Sequence, residues 1–472
     1  MTDVKKHDLL ARMRAGESLN RTERILMVVQ LAIPAILAQL SSVIMQYIDA
    51  SMVGHLGAES SAAIGIVSST TWLVNGIAAS VGVGFYVQVA QKIGAGKDAE
   101  ARSLVRHGLL TVFLVSCFFA VIAISIHRQL PVWLGAAPEV SSMASSYFLI
   151  YGIGLPAFIL EYTAGGMLQS SGNMKIPSIL NICMCALDVF YNALFIFPAR
   201  TVSFAGFRVS LPGFGMNVAG ASLGTAAAEC TCMVFMLYFL LVRSEKLHLR
   251  RKEKSFSYRE ELSEALRIAW PIGLENVLSG SAQVVSTRIV APLGTQAVAA
   301  HSFAITAEAL CYMPGYGIAS AATTIIGQTT GAGRKDLTRN LSFLATGFGM
   351  LVMSGTGVLM FRFAPFIIGI ITPVPEVRDM AVSVLRIEAF AEPMFAAAIV
   401  TSGVFRGSGD TLTSTLVNLI CLWAIRLPLA AYLAPRMGLP GVWTAMCLEL
   451  VICGAVFLVL LNRKTRRNKT RE

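Results

Sequence analysis

Asp49 is the one charged side chain between Arg24 and His55. An acid inside so apolar a stretch is costly in lipid, so it marks a place where ions or substrate are handled and whose partner has to be found. The plain alternative is an Asp at a helix end reaching interfacial water. Gln39, Ser42, Gln46 and Asp49 recur at spacings of 3, 4 and 3, which sets an amide, a hydroxyl, an amide and a carboxylate on one helical face. A second stripe runs Asn181, Cys185, Asp188 and Asn192. Asp188 and Asn192 stand one turn apart, so their oxygens can converge on one cation or share a proton network. Ser222, Thr225 and Glu229 share a third face, Ser68, Thr71 and Asn75 a fourth, and Glu161 adds another acid. Some of these stripes could equally hydrogen-bond helix to helix. No Lys or Arg stands in mid-span of this first half to neutralise its acids. The chemistry they could do is proton or cation exchange.

The elements that position these residues are apolar runs at roughly 25–53, 60–91, 104–127, 141–170, 174–198, 217–242, 262–291, 297–329, 340–361, 376–405, 411–434 and 440–461. About 20 apolar residues cross a bilayer as a helix. The expectation is therefore an all-α integral membrane protein of twelve transmembrane helices. Composition agrees: 55% hydrophobic and 14% charged residues against about a quarter charged in soluble domains. The first run is too long, and the tail before it too long and mixed in charge, for a cleavable signal peptide. With the N-terminus placed in the cytoplasm, 29 of the 38 Lys and Arg fall on that side. Both termini are expected there, and the net charge of +11 reads as a topology signal rather than a nucleic-acid footprint. The nine cysteines lie in apolar segments, and the C-x-C pairs Cys183/Cys185 and Cys230/Cys232 lack His partners. They read as buried free thiols.

The chain repeats itself. A shift of 237 carries Pro34 onto Pro271, Gly57 onto Gly294, Gln91 onto Gln328, Gly94-Ala95-Gly96 onto Gly331-Ala332-Gly333, Pro156 onto Pro393 and Asn181 onto Asn418. A shift spanning six helices preserves orientation, so the six-helix repeats are parallel. The reading divides the chain into an N-terminal tail (1–24), a first lobe (25–242), a cytoplasmic linker (243–261), a second lobe (262–461) and a basic tail (462–472). Only the 198–217 loop, with its Pro and Gly residues, has no counterpart in the second half.

The second half has its own acids, Glu275, Glu308, Glu388 and Glu392, with Arg288, Arg386 and Arg426 as available partners. The positions equivalent to Asp49 and Asp188 are Ser286 and Ile425, so the repeats differ in chemistry. Gln46, Asn75, Glu161, Asn181, Glu275, Glu308 and Glu392 are candidates for lining a substrate cavity. Acids within the bilayer and no basic pocket suit cationic or neutral amphiphilic cargo. Neither a G-x-x-x-x-G-K-[ST] loop nor a D-D-x-x-D motif occurs, which argues against ATP as energy source and against a prenyltransferase-like enzyme.

The sequence resembles the MATE (multidrug and toxic compound extrusion) family. The resemblance rests on Pro34 with D-A-S-M-V-G-H-L-G (Asp49–Gly57), V-A-G-A-S-L-G-T (Val218–Thr225), A-P-L-G-T-Q-A-V-A-A-H (Ala291–His301), M-P-G-Y-G-I-A-S-A-A-T-T-I-I-G-Q-T-T-G-A-G (Met313–Gly333) and F-R-G-S-G-D-T (Phe405–Thr411). It implies two six-helix lobes in a V. It also implies a secondary antiporter that exchanges H⁺ or Na⁺ for organic cations or amphiphilic drugs, without cofactor, as a monomer among membrane lipids. The setting implied is a bacterial cytoplasmic (inner) membrane. The similarity is to the prokaryotic DinF-like members, whose first-lobe ion site carries over to Asp49, Asp188, Asn192 and Thr225. Aligned on the F-I-F that follows, the Asn and Asp of the fifth helix are exchanged here, which bears on the preferred ion. Ser279 stands where NorM-like members have a seventh-helix Glu, so that role does not pass to Glu275. A lipid-linked glycan or lipid flippase of the same superfamily is the alternative. Such proteins usually have extra helices and a cationic cavity.

Overall fold

The computed structural model describes residues 9–204, 207–250 and 256–469, without the side chains of 200–211 and 465–469. Parts of the expected N-terminal tail, linker and basic tail lie outside the described residues. A short helix, α1 (Leu9–Arg14), precedes α2 (Arg21–Gly54), α3 (Ala58–Gly94), α4 (Asp98–Ile126), α5 (Gln129–Trp133), α6 (Pro138–Ser170) and α7 (Lys175–Phe195). After strands β1 (Pro198–Phe204) and β2 (Phe207–Phe214) come α8 (Asn217–Tyr238), α9 (Tyr258–Val290), α10 (Thr295–Gly331) and α11 (Lys335–Ile371). The chain closes with α12 (Pro375–Glu388), α13 (Glu392–Gly407), α14 (Thr411–Ile420), α15 (Leu427–Met437) and α16 (Leu439–Lys469). Each expected apolar run is helical. The tenth is split into α12 and α13, and the eleventh into α14 and α15.

Ten of these stretches are long and apolar enough to cross a membrane unaided. The other two are α9 and the tenth run. Helix α9 carries Glu275 and Asn276 in its middle. The tenth run breaks between Glu388 and Glu392, just before Pro393, whose missing N–H and bulky ring weaken the preceding turn. The outer faces are apolar because their solvent is lipid. On α11, Leu351, Val358, Phe366 and Ile370 are exposed at spacings that make one stripe.

The segment 198–217, expected as a loop, is instead an antiparallel hairpin with Val202 opposite Val209 and Phe204 opposite Phe207. The alternation of T-V-S-F and F-R-V-S on either side of Ala205-Gly206 in the sequence is the signal that the helical reading passed over.

The chain forms two compact units. One comprises residues 1–40, 90–97 and 270–472, the other 41–89 and 98–269. The boundaries fall inside α2, α3 and α9. In the first unit, a Cβ on Gly94 would collide with the backbone of Gln328, and one on Gly331 with that of Gln91. These four residues are two pairs related by the shift of 237, so the ends of α3 and α10 cross reciprocally on glycine. Ion pairs anchor the chain ends in the same unit: Arg12 with Glu23 at 2.5 Å and Lys464 with Asp410 at 2.9 Å. In the second unit, Gly84 meets the backbone of Ala265, and His107 pairs with Glu261 at 2.6 Å.

Candidate ion and substrate site

Two stripes that the sequence put on separate helices meet in the second unit. Asn192 donates from its Nδ2 to Asp49 Oδ1 at 2.9 Å and to Asp188 Oδ2 at 3.0 Å. Asp188 and Asn192 are fully buried and Asp49 is half-buried. The Asp188–Asn192 spacing of one turn left open whether their oxygens converge on one cation or share a proton network. The amide turns its NH₂ to both acids, leaving Asp188 Oδ1 and Asn192 Oδ1 without hydrogen-bond partners. Thr225 lies beside Asp188, and Asp49 and Asp188 are within interaction distance of each other. Two bare carboxylates cannot share an apolar bundle without a proton or a cation between them. Chemically, such an arrangement can take up and give back positive charge.

Tight helix packing brings these groups together. Helix α8 offers Gly220 and Gly224, four residues apart. A Cβ on Gly220 would strike the carbonyl of Phe195, and one on Gly224 would strike Asn192 at Oδ1 and at its backbone N. Small residues at this spacing let two backbones approach within a membrane, so α7 and α8 close on each other where Asn192 is held. Neither glycine was singled out for the site, although G-A-S-L-G shows the spacing. Tyr147, also passed over, is half-buried within electrostatic reach of both Asp49 and Asp188.

Two further acids adjoin this pair. Glu229, buried and with Oε2 unpartnered, interacts with both Asp188 and Glu161. Glu161 accepts from Cys232 Sγ at 3.6 Å, and Asn181, with its amide turned to donate, reaches Glu161 Oε1 at 3.0 Å. Asn75 accepts from Tyr151 Oη at 2.6 Å, which ties it to a neighbour helix. Gln46 is exposed and joins no cluster. Thus Asp49, Asp188, Asn192 and Thr225 come together, Glu161 and Asn181 form an adjoining pair, and Gln46 and Asn75 stand apart.

The first unit holds two further groups. Glu275 accepts from Thr415 at 2.9 Å and from Asn418 at 2.7 Å, with Arg406 at 3.7 Å. Asn418 is the repeat equivalent of Asn181, so the same amide position serves a different acid in each repeat. Glu308, Glu388 and Glu392 lie together, the last two with no exposure and no hydrogen-bond partner on either oxygen. The ion pairing considered for these acids is not formed by Arg386, whose guanidinium sits 5.4 Å from the Phe361 ring centre. Arg426 donates to Met446 Sδ and reaches the acids only at longer range.

Comparisons with known proteins agree with this architecture. The MatE family model matches twice, over residues 34–194 and 271–432, and the two matches begin 237 residues apart, the shift read from the sequence. The probable multidrug resistance protein NorM of Thermotoga maritima is 25% identical over 432 residues, covering 90% of this chain and 89% of that protein. NorM of Pseudomonas aeruginosa is 29% identical, with 92% and 88% covered. MdtK of Yersinia pestis (strain Pestoides F), a multidrug resistance protein, is 24% identical, with 93% and 95% covered. Among solved structures, a Vibrio cholerae MATE transporter superposes with a TM-score of 0.87 at 19% identity, covering 94% of this chain and 98% of the other. A MOP superfamily transporter from Pyrococcus furiosus superposes with a TM-score of 0.86 at 20% identity, covering 94% and 97%. It is described as having a binding pocket of reverse polarity that suggests a different function. Two family matches in one register, over a mostly helical chain that repeats itself, leave one assignment: this protein belongs to the MatE family of membrane transporters.

Proposed function

We propose that the protein is a secondary antiporter that expels cationic or amphiphilic organic compounds in exchange for H⁺ or Na⁺. One observation carries the reading: a single amide bridges Asp49 and Asp188 inside an apolar bundle. A relative of the same fold is known for reversed pocket polarity, so the sign of the buried charge matters. Here that charge is acidic in both units. This supports export of cations and disfavours carriage of pyrophosphate-linked lipids. The coupling ion and a cationic drug compete for the same carboxylates, and each ligand then biases which way the transporter opens. Drug affinity on purified protein should therefore fall as pH drops through the titration of the pair, and Asp49→Asn should lose most of that dependence. A wild-type pH profile in Asp49→Asn would remove Asp49 from coupling. Ethidium efflux from vesicles given a pH gradient or a sodium gradient separately identifies the ion.

The proposed setting is the bacterial inner membrane, with both termini cytoplasmic and one chain as the working unit. The positive-inside distribution supports this orientation. A single Cys introduced at Ser203 of a cysteine-free variant should label from outside intact cells, and one at Lys252 should not. The opposite pattern would invert the topology.

A further inference from the structure

We propose that Cys421, Glu449 and Cys453 form a buried site for a soft or borderline divalent metal ion such as Zn²⁺. This goes beyond the antiport reading and uses none of its residues. Glu449 and Cys453 stand one turn apart on α16 and face the same way. Cys421 opens the wide π turn Cys421–Arg426 that joins α14 to α15, and such turns recur at functional sites. One ligand atom from each of the three residues lies within 4.8 Å of the others. All three side chains are buried, at 3%, 4% and 3% exposure.

The thiols alone would need no ion, since Ala398, Phe405 and Phe457 pack around them as an apolar core. The carboxylate is what that core leaves unexplained. Glu449 Oε2 is buried without a hydrogen-bond partner, an arrangement that costs free energy unless something positive meets it. A disulfide between the cysteines would leave it orphaned. Two thiolates and a carboxylate suit Zn²⁺ and similar ions, whereas Mg²⁺ and Ca²⁺ require mostly oxygen ligands. Charge also balances. The three deprotonated ligands and a divalent ion sum to one negative charge, and the Arg426 guanidinium, within electrostatic reach of Glu449, cancels it. A neutral assembly is what a membrane interior favours. Asn418 Oδ1 accepts from Cys453 Sγ at 3.7 Å and would lose that donor when the thiol gives up its proton to ligation. The protons displaced by the ion leave from the two thiols and, where protonated, Glu449.

The test uses purified full-length protein, stripped with chelator under reducing conditions and dialysed against Zn²⁺ or, as a spectroscopic probe, Co²⁺. One equivalent should be retained per chain, with a thiolate-to-cobalt charge-transfer band. Glu449→Gln should bind at least about tenfold more weakly, and the double variant Cys421→Ser, Cys453→Ser should lose the band. A variant keeping only these two of the nine cysteines should retain both ion and band, which separates lost ligation from lost folding. Cobalt bound without the band overturns the proposal. So does retention no higher than in the double serine variant, or a Cys421–Cys453 disulfide after reducing purification.

Discussion

Asp188→Asn is expected to abolish drug resistance at normal expression, and Asp49→Asn to do the same, while Glu388→Gln keeps most of it. The two aspartates share one donor, Asn192 Nδ2, so removing either charge dismantles the pair. A hydrogen bond to a charged partner contributes about 1.5–3 kcal/mol, which converts to roughly 10- to 100-fold in cation affinity. Loss of coupling adds to loss of affinity, because a neutral amide neither takes up nor releases a proton. Glu388 differs in kind. Both its oxygens are buried without partners, and an amide of the same shape preserves the packing of α12. The measurement is the minimum inhibitory concentration of ethidium and similar cations in a strain lacking other pumps, normalised to membrane expression. Glu388→Gln as inactive as Asp49→Asn would move the coupling site into the other unit.

The second large effect comes from a residue with no polar atom in its side chain. Gly224→Ala should lose transport while keeping every carboxylate. The added Cβ would overlap Asn192 at both its side-chain oxygen and its backbone N, so α7 and α8 have to separate or Asn192 has to swing. Overpacking of this kind costs about 1–3 kcal/mol, and swinging Asn192 releases Asp49 and Asp188 together. The expected result is a protein that still reaches the membrane, with a modestly lower melting temperature and drug affinity near that of Asp49→Asn. Gly65→Ala, where a Cβ meets open space, is the control and should be silent. Transport by Gly224→Ala at the wild-type rate would show that Asn192 need not bridge the two acids.

Much of this protein is written in short-range pattern. Apolar runs of bilayer length mark the twelve helical stretches, since lipid leaves a spanning backbone few alternatives to a helix. The parallel repeat follows from one unbroken register, visible in Gln91 with Gln328 and in the two G-A-G turns. The stripes on α2 and α7 follow from helical periodicity alone. What periodicity leaves open is which stripe faces which, because a spacing fixes a direction on one helix and says nothing of its neighbour. Only packing decided that Asn192 turns its NH₂ to both aspartates, that Gln46 stays outside, and that Glu229 links Asp188 to Glu161. The hairpin at 198–214 escaped because strand alternation is faint beside long apolar helices. The break before Glu392 and the π turn at Cys421 escaped because a residue or two of altered winding leaves the apolar pattern almost unchanged. Yet that winding decides where Glu388, Glu392 and Cys421 point. Sequence thus determined the elements and their polar faces, whereas the close approach of backbones at Gly220 and Gly224 decided which charges meet.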